Sequence, residues 1–170
     1  KAYVQTDKGL QSERHGDETS LGMTKLYRRS CFKEIGGFVR EVMWDGIDCH
    51  TCRQFGWVAC SWDESDLRFV HLRPMGSSQV GIHTGRMRHG YGQYYMGTGF
   101  IYLLASAIYR IPEKPYVTGS LAILWGWIRA AISGKPRYEN KEFRRSLRRF
   151  QLLALLYGKK KAVEKIHNDK

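Results

Sequence analysis

The cysteines narrow the chemistry first. Cys49 and Cys52 form one Cys-x-x-Cys, with Cys31 and Cys60 outside it. A zinc site of paired knuckles needs two such motifs. A single pair inside a predicted helix reads instead as free thiols in a reducing compartment. Four cysteines in 170 residues are also too sparse for a disulfide scaffold. Cys49 and His50 are adjacent, and residues at i and i+1 do not face each other on a helix, so they make no nucleophile–base pair. Two carboxylates, Asp45 and Asp48, stand where that same helix should open, and either could cap it. Arg73, Arg86 and Arg88 fall in a glycine-rich stretch, residues 73–98, expected to be a long functional or flexible loop with at most one helical turn.

The elements that must hold these groups can be read from periodicity. Residues 1–20 are polar and turn-rich, with one short strand at Ala2–Gln5. Met23–Tyr27 alternates apolar and polar, as a half-buried strand does. Ser30 is placed to cap a short helix, Cys31–Ile35, that Gly36-Gly37 would stop. The next helix opens at Asp45 or Asp48, turns Ile47, Thr51 and Phe55 toward a core, and ends at Gly56. Trp57–Trp62 and Leu67–Leu72 read as strands around the acidic turn Asp63–Asp66. Phe100–Arg110 and Tyr116–Ile128 are apolar runs separated by Pro112 and Pro115. Lys141–Tyr157 is helical by pattern: Phe143, Leu147 and Phe150 form one stripe, and Lys141, Arg144, Arg145, Arg148 and Arg149 another. A basic tail with Lys159, Lys160 and Lys161 follows.

Charge divides the chain unevenly. Residues 1–70 carry 10 Lys/Arg and 11 Asp/Glu, whereas residues 71–170 carry 18 and 5, within an overall net charge of +12. The second half should therefore face something anionic. With hydrophobic residues at 42% and only 4 Pro, wholesale disorder and fibrous architectures are excluded. The chain begins at Lys1 with no signal peptide, which raises the expectation of a fragment continuing upstream.

One block carries a resemblance. Its pieces are Gly22-Met-Thr-Lys-Leu-Tyr-Arg-Arg-Ser30, Cys31-Phe-Lys-Glu-Ile-Gly-Gly-Phe38, Trp44-Asp45-Gly-Ile-Asp48, Arg53-Gln-Phe-Gly56-Trp57 and His71-Leu-Arg-Pro74. In that order and spacing they resemble the C-terminal, acceptor-side half of family-2 glycosyltransferases with the GT-A fold. The likeness is close over about fifty residues and looser to residue 98. It implies an α/β chain: residues 1–78 as the C-terminal half of a GT-A (nucleotide-diphospho-sugar transferase) domain, then a helical, basic C-terminal region, residues 79–170, that associates with membranes.

The resemblance also implies an activity: transfer of a sugar from a nucleotide-sugar donor to a hydroxyl, with inversion, in polysaccharide or glycolipid synthesis. The acceptor would be lipid-linked or a saccharide. Asp45 falls on the family's catalytic base, with Trp44 where a glutamate is usual, and Asp48 one turn on as its support. Arg73, Arg86 and Arg88, together with Trp44, are implied on the substrate and diphosphate side. His71 matches a position that approaches the metal in some relatives, and imidazole is a competent ligand for manganese. The divalent metal, Mn or Mg, would be held mostly by the upstream half, since no Asp-x-Asp occurs here.

Neither apolar run reaches the roughly 20 residues a bilayer span needs. The basic Lys141–Tyr157 helix instead has the composition of one lying in a headgroup layer. The expected setting is thus the cytoplasmic face of the cell membrane, peripherally, or the cytoplasm, with an anionic membrane surface as partner. The rival readings are a basic nucleic-acid-binding module using Tyr91, Tyr94 and Tyr95, and a truncated non-catalytic remnant. The charge-balanced Gly22–His71 block, with no nucleic-acid motif, argues against nucleic acid as partner.

Overall fold

Ala2 and Tyr3 are buried, and their strand β1 (Ala2–Thr6) forms the centre of a three-stranded sheet. A tight turn returns the chain as β2 (Gly9–Ser12), antiparallel, with Tyr3 opposite Ser12. The other edge is β3 (Phe69–His71), parallel to β1, with Ala2 opposite Phe69 and Val4 opposite His71. Asp63 clamps this sheet. It accepts from Tyr3 Oη at 2.8 Å and from Arg68 Nε at 3.1 Å, while Arg68 also lies over the Tyr3 ring. These facts come from a computed structural model that describes residues 1–13, 16–20, 22–72 and 80–168. The fold is mixed α/β and mostly helical, with this single small sheet among the described residues.

Two expected strands do not form. Met23–Tyr27 begins as a 3-10 turn (Gly22–Thr24) and continues extended but without a ladder partner. Exposure alternates along it without following polarity: Leu26 is 97% exposed, while Lys25 and Tyr27 turn inward to ionic and aromatic neighbours. Trp57–Trp62 is also unpaired as a strand. Ser61 is held against Asp17 and Thr19 by isolated hydrogen bonds instead. An alternating pattern makes a strand only where a second backbone is available to it.

Helix α1 (Arg29–Glu34) ends at Gly36 and Gly37, both with positive φ, as the Gly-Gly pair requires. Helix α2 (Trp44–Gln54) follows. Ile47 and Thr51 are buried on it, but Phe55 is 49% exposed rather than packed.

The larger correction concerns residues 73–98. Arg73 lies outside the described residues, but Ile82–Met96 is a fifteen-residue helix, α3, and not a loop. Its glycines are there for contact. It packs along α5 (Val117–Ile132) so closely that a Cβ on Gly90 would sit 2.0 Å from the Ile123 carbonyl oxygen. A Cβ on Gly126 would sit 2.1 Å from that of Met87. Glycine's low helix propensity costs roughly 1 kcal/mol per residue, and backbone-to-backbone packing offsets it, as in small-residue helix pairs.

Helix α4 (Phe100–Tyr109) joins α3 to α5. Helix α6 (Lys141–Tyr157) has the bounds its pattern predicts, and α7 (Lys159–Asn168) turns back on it. Phe143, Leu147 and Phe150 do not face outward: they are 1%, 2% and 5% exposed. Phe143 and Leu147 cluster with Ile47 of α2 and Met96 of α3. The main core therefore draws on residues from both halves of the sequence, and the apolar stripe of α6 is a packing element.

A buried polar relay fixes the α3–α4 turn to α6. Gln151 donates to Thr98 Oγ1 and accepts from Gly99 N–H, both near 3.0 Å, and Thr98 in turn donates to Gln93.

Candidate functional site

The start of α2 gathers several of the chemistry-bearing residues. Four rings, Tyr27, Phe32, Phe38 and Trp44, meet edge to face in succession, with centroids 4.9–5.7 Å apart. They wall off one side of α2. Gly22 passes against the Trp44 ring so tightly that a Cβ there would lie 2.8 Å from it. The residue preceding the helix, Met43, has φ of 68°, a left-handed conformation uncommon for a side-chain-bearing residue. It swings the chain into α2 so that Asp45 occupies the first turn.

Lys25 organises the polar side. Its side chain, 4% exposed, pairs through the ammonium with the side chain of Asp48, 3% exposed. It also donates to the Asp45 backbone carbonyl at 2.7 Å and the Cys49 sulfur at 3.3 Å, and lies 5.5 Å from the Trp44 ring centroid. The second Asp48 oxygen accepts from Tyr27 Oη. Burial, then the hydrogen bond to the Asp48 carboxylate, holds the Tyr27 phenol far above its ordinary pKa. Tyr27 thus stays a neutral donor. Both Asp48 oxygens are engaged, so this carboxylate is structural in the geometry seen.

Asp45 differs. It is half-buried, and its Oδ1 accepts from the Gly46 N–H at 3.0 Å, while Oδ2 has no hydrogen-bond partner among the described residues. It sits at a helix N-terminus, where the backbone dipoles favour negative charge. The arrangement offers one available carboxylate oxygen on a fixed element, tethered through its own carbonyl to a buried lysine. Chemically, that can accept a proton from a hydroxyl brought against it.

The other predicted residues lie elsewhere. His71, on β3, pairs through Nδ1 with Glu13 next to the sheet. Arg86, on α3, donates to the Lys114 carbonyl at 3.1 Å and faces Glu113 at 3.7 Å. Arg88 is exposed on α3 and has no hydrogen bond or ion pair among the described residues. Trp44 belongs to the ring cluster. So Asp45, Asp48 and Trp44 come together, whereas His71 and Arg86 each bind a different neighbourhood. Lys25, Tyr27 and Glu13 escaped the sequence reading. The first two left a signal, since residues i and i+2 of an extended segment share a side.

The described residues contain no group of three or more His, Cys, Asp or Glu able to hold a metal. The His71–Glu13 pair therefore does not fit a complete metal site. All four cysteines are free. Cys31 and Cys52 are 3.5 Å apart, and burial, followed by that contact, pushes the Cys52 thiol up to about 12. A thiol so held is a poor nucleophile. His50 sits edge-on to Phe150 and Phe143, and burial, aided by Arg53 and Lys159, lowers it to about 3, so it is neutral at ordinary pH. Compared with known proteins, the chain matches no family model, no curated protein and no solved structure.

Proposed function

We propose that this chain is the acceptor-side half of an inverting family-2 glycosyltransferase of the GT-A fold, with Asp45 as its general base. The observation that carries the reading is the contrast between two carboxylates one turn apart on α2. Asp48 is consumed by Lys25 and Tyr27, while Asp45 keeps an oxygen free at the helix start. The motif order from Gly22 to His71 supports it.

In the reaction, Asp45 Oδ2 takes the proton of an acceptor hydroxyl as that oxygen forms its bond to the anomeric carbon of the sugar. The bond from that carbon to the diphosphate breaks, and its electron pair leaves on the phosphate oxygen. Lys25 holds the Asp45 backbone, and the four-ring wall keeps the helix start in place. Arg88 is the arginine on α3 still available to a diphosphate, since Arg86 is held by Lys114 and Glu113. No step passes through a metal held by the described residues.

The test is Asp45→Asn in the protein that carries this half together with its donor-binding half. Transfer should slow by roughly a hundredfold or more, the scale of losing a positioned base, with donor binding unchanged. Turnover near the parent rate would remove Asp45 from the mechanism.

A further inference from the structure

The inner face of α5 is closed by α3, but its outer face is not. Gly119, Ser120, Ile123, Gly126 and Ala130 are buried, whereas Val117, Leu121, Trp125 and Ile132 form a stripe 51–79% exposed. Helix α4 repeats the arrangement. Leu103 and Ala107 face inward, while Ile101, Leu104 and Ile108 stay exposed at i, i+3 and i+7. The two helices touch: Ser120 Oγ donates to the Ala107 carbonyl at 2.7 Å, and Phe100 meets Trp127 at 5.5 Å. The outer face of α6 begins with exposed Arg145, Arg148 and Arg149 and ends with exposed Leu152, Leu155 and Leu156. Single exposed apolar residues need no explanation. Periodic stripes on adjoining helices do.

We propose that the outer faces of α4 and α5, with the last turns of α6, seat this protein in the surface of an anionic lipid leaflet without crossing it. Among the described residues no helix is long and apolar enough to cross a membrane, so at a bilayer these stripes would lie in the interface. Charge identifies the occupant. Residues 100–163 carry 13 Lys/Arg against 3 Glu. Two copies meeting through such faces repel each other. Nucleic acid answers the cations but offers no hydrocarbon phase to Leu121 or Ile101. An acidic leaflet answers both, with phosphates for the arginines and acyl chains for the stripes. Trp125 has the amphipathic ring that settles at headgroup depth. The membrane contact expected of Phe143, Leu147 and Phe150 thus passes to other residues, because those three are core.

The experiment uses vesicles of phosphatidylcholine with and without phosphatidylglycerol. The wild-type chain should co-sediment with the acidic vesicles, more weakly with neutral ones, and lipids brominated on the acyl chain should quench tryptophan. Trp125→Phe should remove most of that quenching. The triple variant Ile101→Ser, Ile108→Ser, Leu121→Ser changes exposed positions only. It should lower partitioning by roughly a hundredfold while its circular dichroism matches the parent. If the triple variant unfolds, the Trp125 quenching in the wild type carries the test alone. Indifference to acidic vesicles overturns the proposal. So does association that rises with protein concentration and is abolished by the triple variant, which makes the face a contact between copies. Salt-sensitive RNA or DNA binding untouched by the triple variant, with no bromolipid quenching, overturns it in favour of nucleic acid.

Discussion

Around α2, side chains hold the structure; between α3 and α5, backbones do. In the first region a lysine, an aspartate and a tyrosine interlock behind four rings, and the helix start is fixed by charge and aromatic edges. In the second, Gly90 and Gly126 let two helices approach until carbonyl oxygens occupy the places of absent methyl groups. The difference has consequences for function. A polar interlock can position one further carboxylate, Asp45, with an oxygen to spare. Backbone packing needs few side chains inward, and α5 keeps Val117, Leu121, Trp125 and Ile132 exposed on its other face.

The interlock should be the more fragile of the two to a single change. Lys25→Met leaves Asp48 charged and buried, and Asp48→Asn leaves Lys25 so. Each should cost about 3–5 kcal/mol in denaturant unfolding. The double variant Lys25→Met, Asp48→Asn should cost much less than the sum of the two, because no charge is then left unpaired. If the singles lose less than ~1 kcal/mol, the pair is not buried and Asp45 loses its tether.

The backbone pair comes next. Gly126→Ala pushes a methyl group against the Met87 carbonyl, and Gly90→Ala does the same against Ile123. These are main-chain atoms that cannot rotate away, so each should cost on the order of 3 kcal/mol, the upper range for overpacking. A fall in thermal midpoint that matches an ordinary surface change would mean that α3 and α5 are further apart.

The two regions also differed in how plainly their sequences spoke. Helix α6 was legible because apolar and basic periodicity agree with its length: Lys141–Tyr157 was read residue for residue, whereas α4 was read only as an apolar run. Strand β1 and the Gly36-Gly37 stop were legible from local chemistry as well. Helix α3 was not, because Gly85, Gly90 and Gly92 signal a loop unless the partner helix is known, and α5 lies some thirty residues further along. At the candidate site, Asp45 was singled out by motif order, not by its own surroundings. Lys25 was missed since its strand-like alternation hides an ionic interior. Most of the outward stripe of α5 lay within the apolar run Tyr116–Ile128, but which side would be covered depended on those unread glycines.

The smallest effect separates the regions at their helix starts. Ser30 looked like a cap, yet α1 begins at Arg29, with Arg28 as an N-cap residue that makes no side-chain bond. Ser30 is inside the helix and exposed. On α6 the cap is made: Asn140 Oδ1 accepts from the Phe143 N–H at 2.9 Å. That bond satisfies one of the unpaired donors of the first turn, at the residue whose ring is core. Asn140→Ala should therefore cost about 1 kcal/mol, and Asn140→Asp should be nearly neutral because aspartate caps as well. Ser30→Ala should stay within a few tenths of a kcal/mol, or stabilise slightly through alanine's higher helix propensity. Urea midpoints of the three variants measured side by side give the comparison. Should Ser30→Ala prove as costly as Asn140→Ala, α1 starts later than Arg29. The start of α1 would then be held by a side-chain cap, and the region around α2 would rest on one more side-chain bond than its interlock supplies.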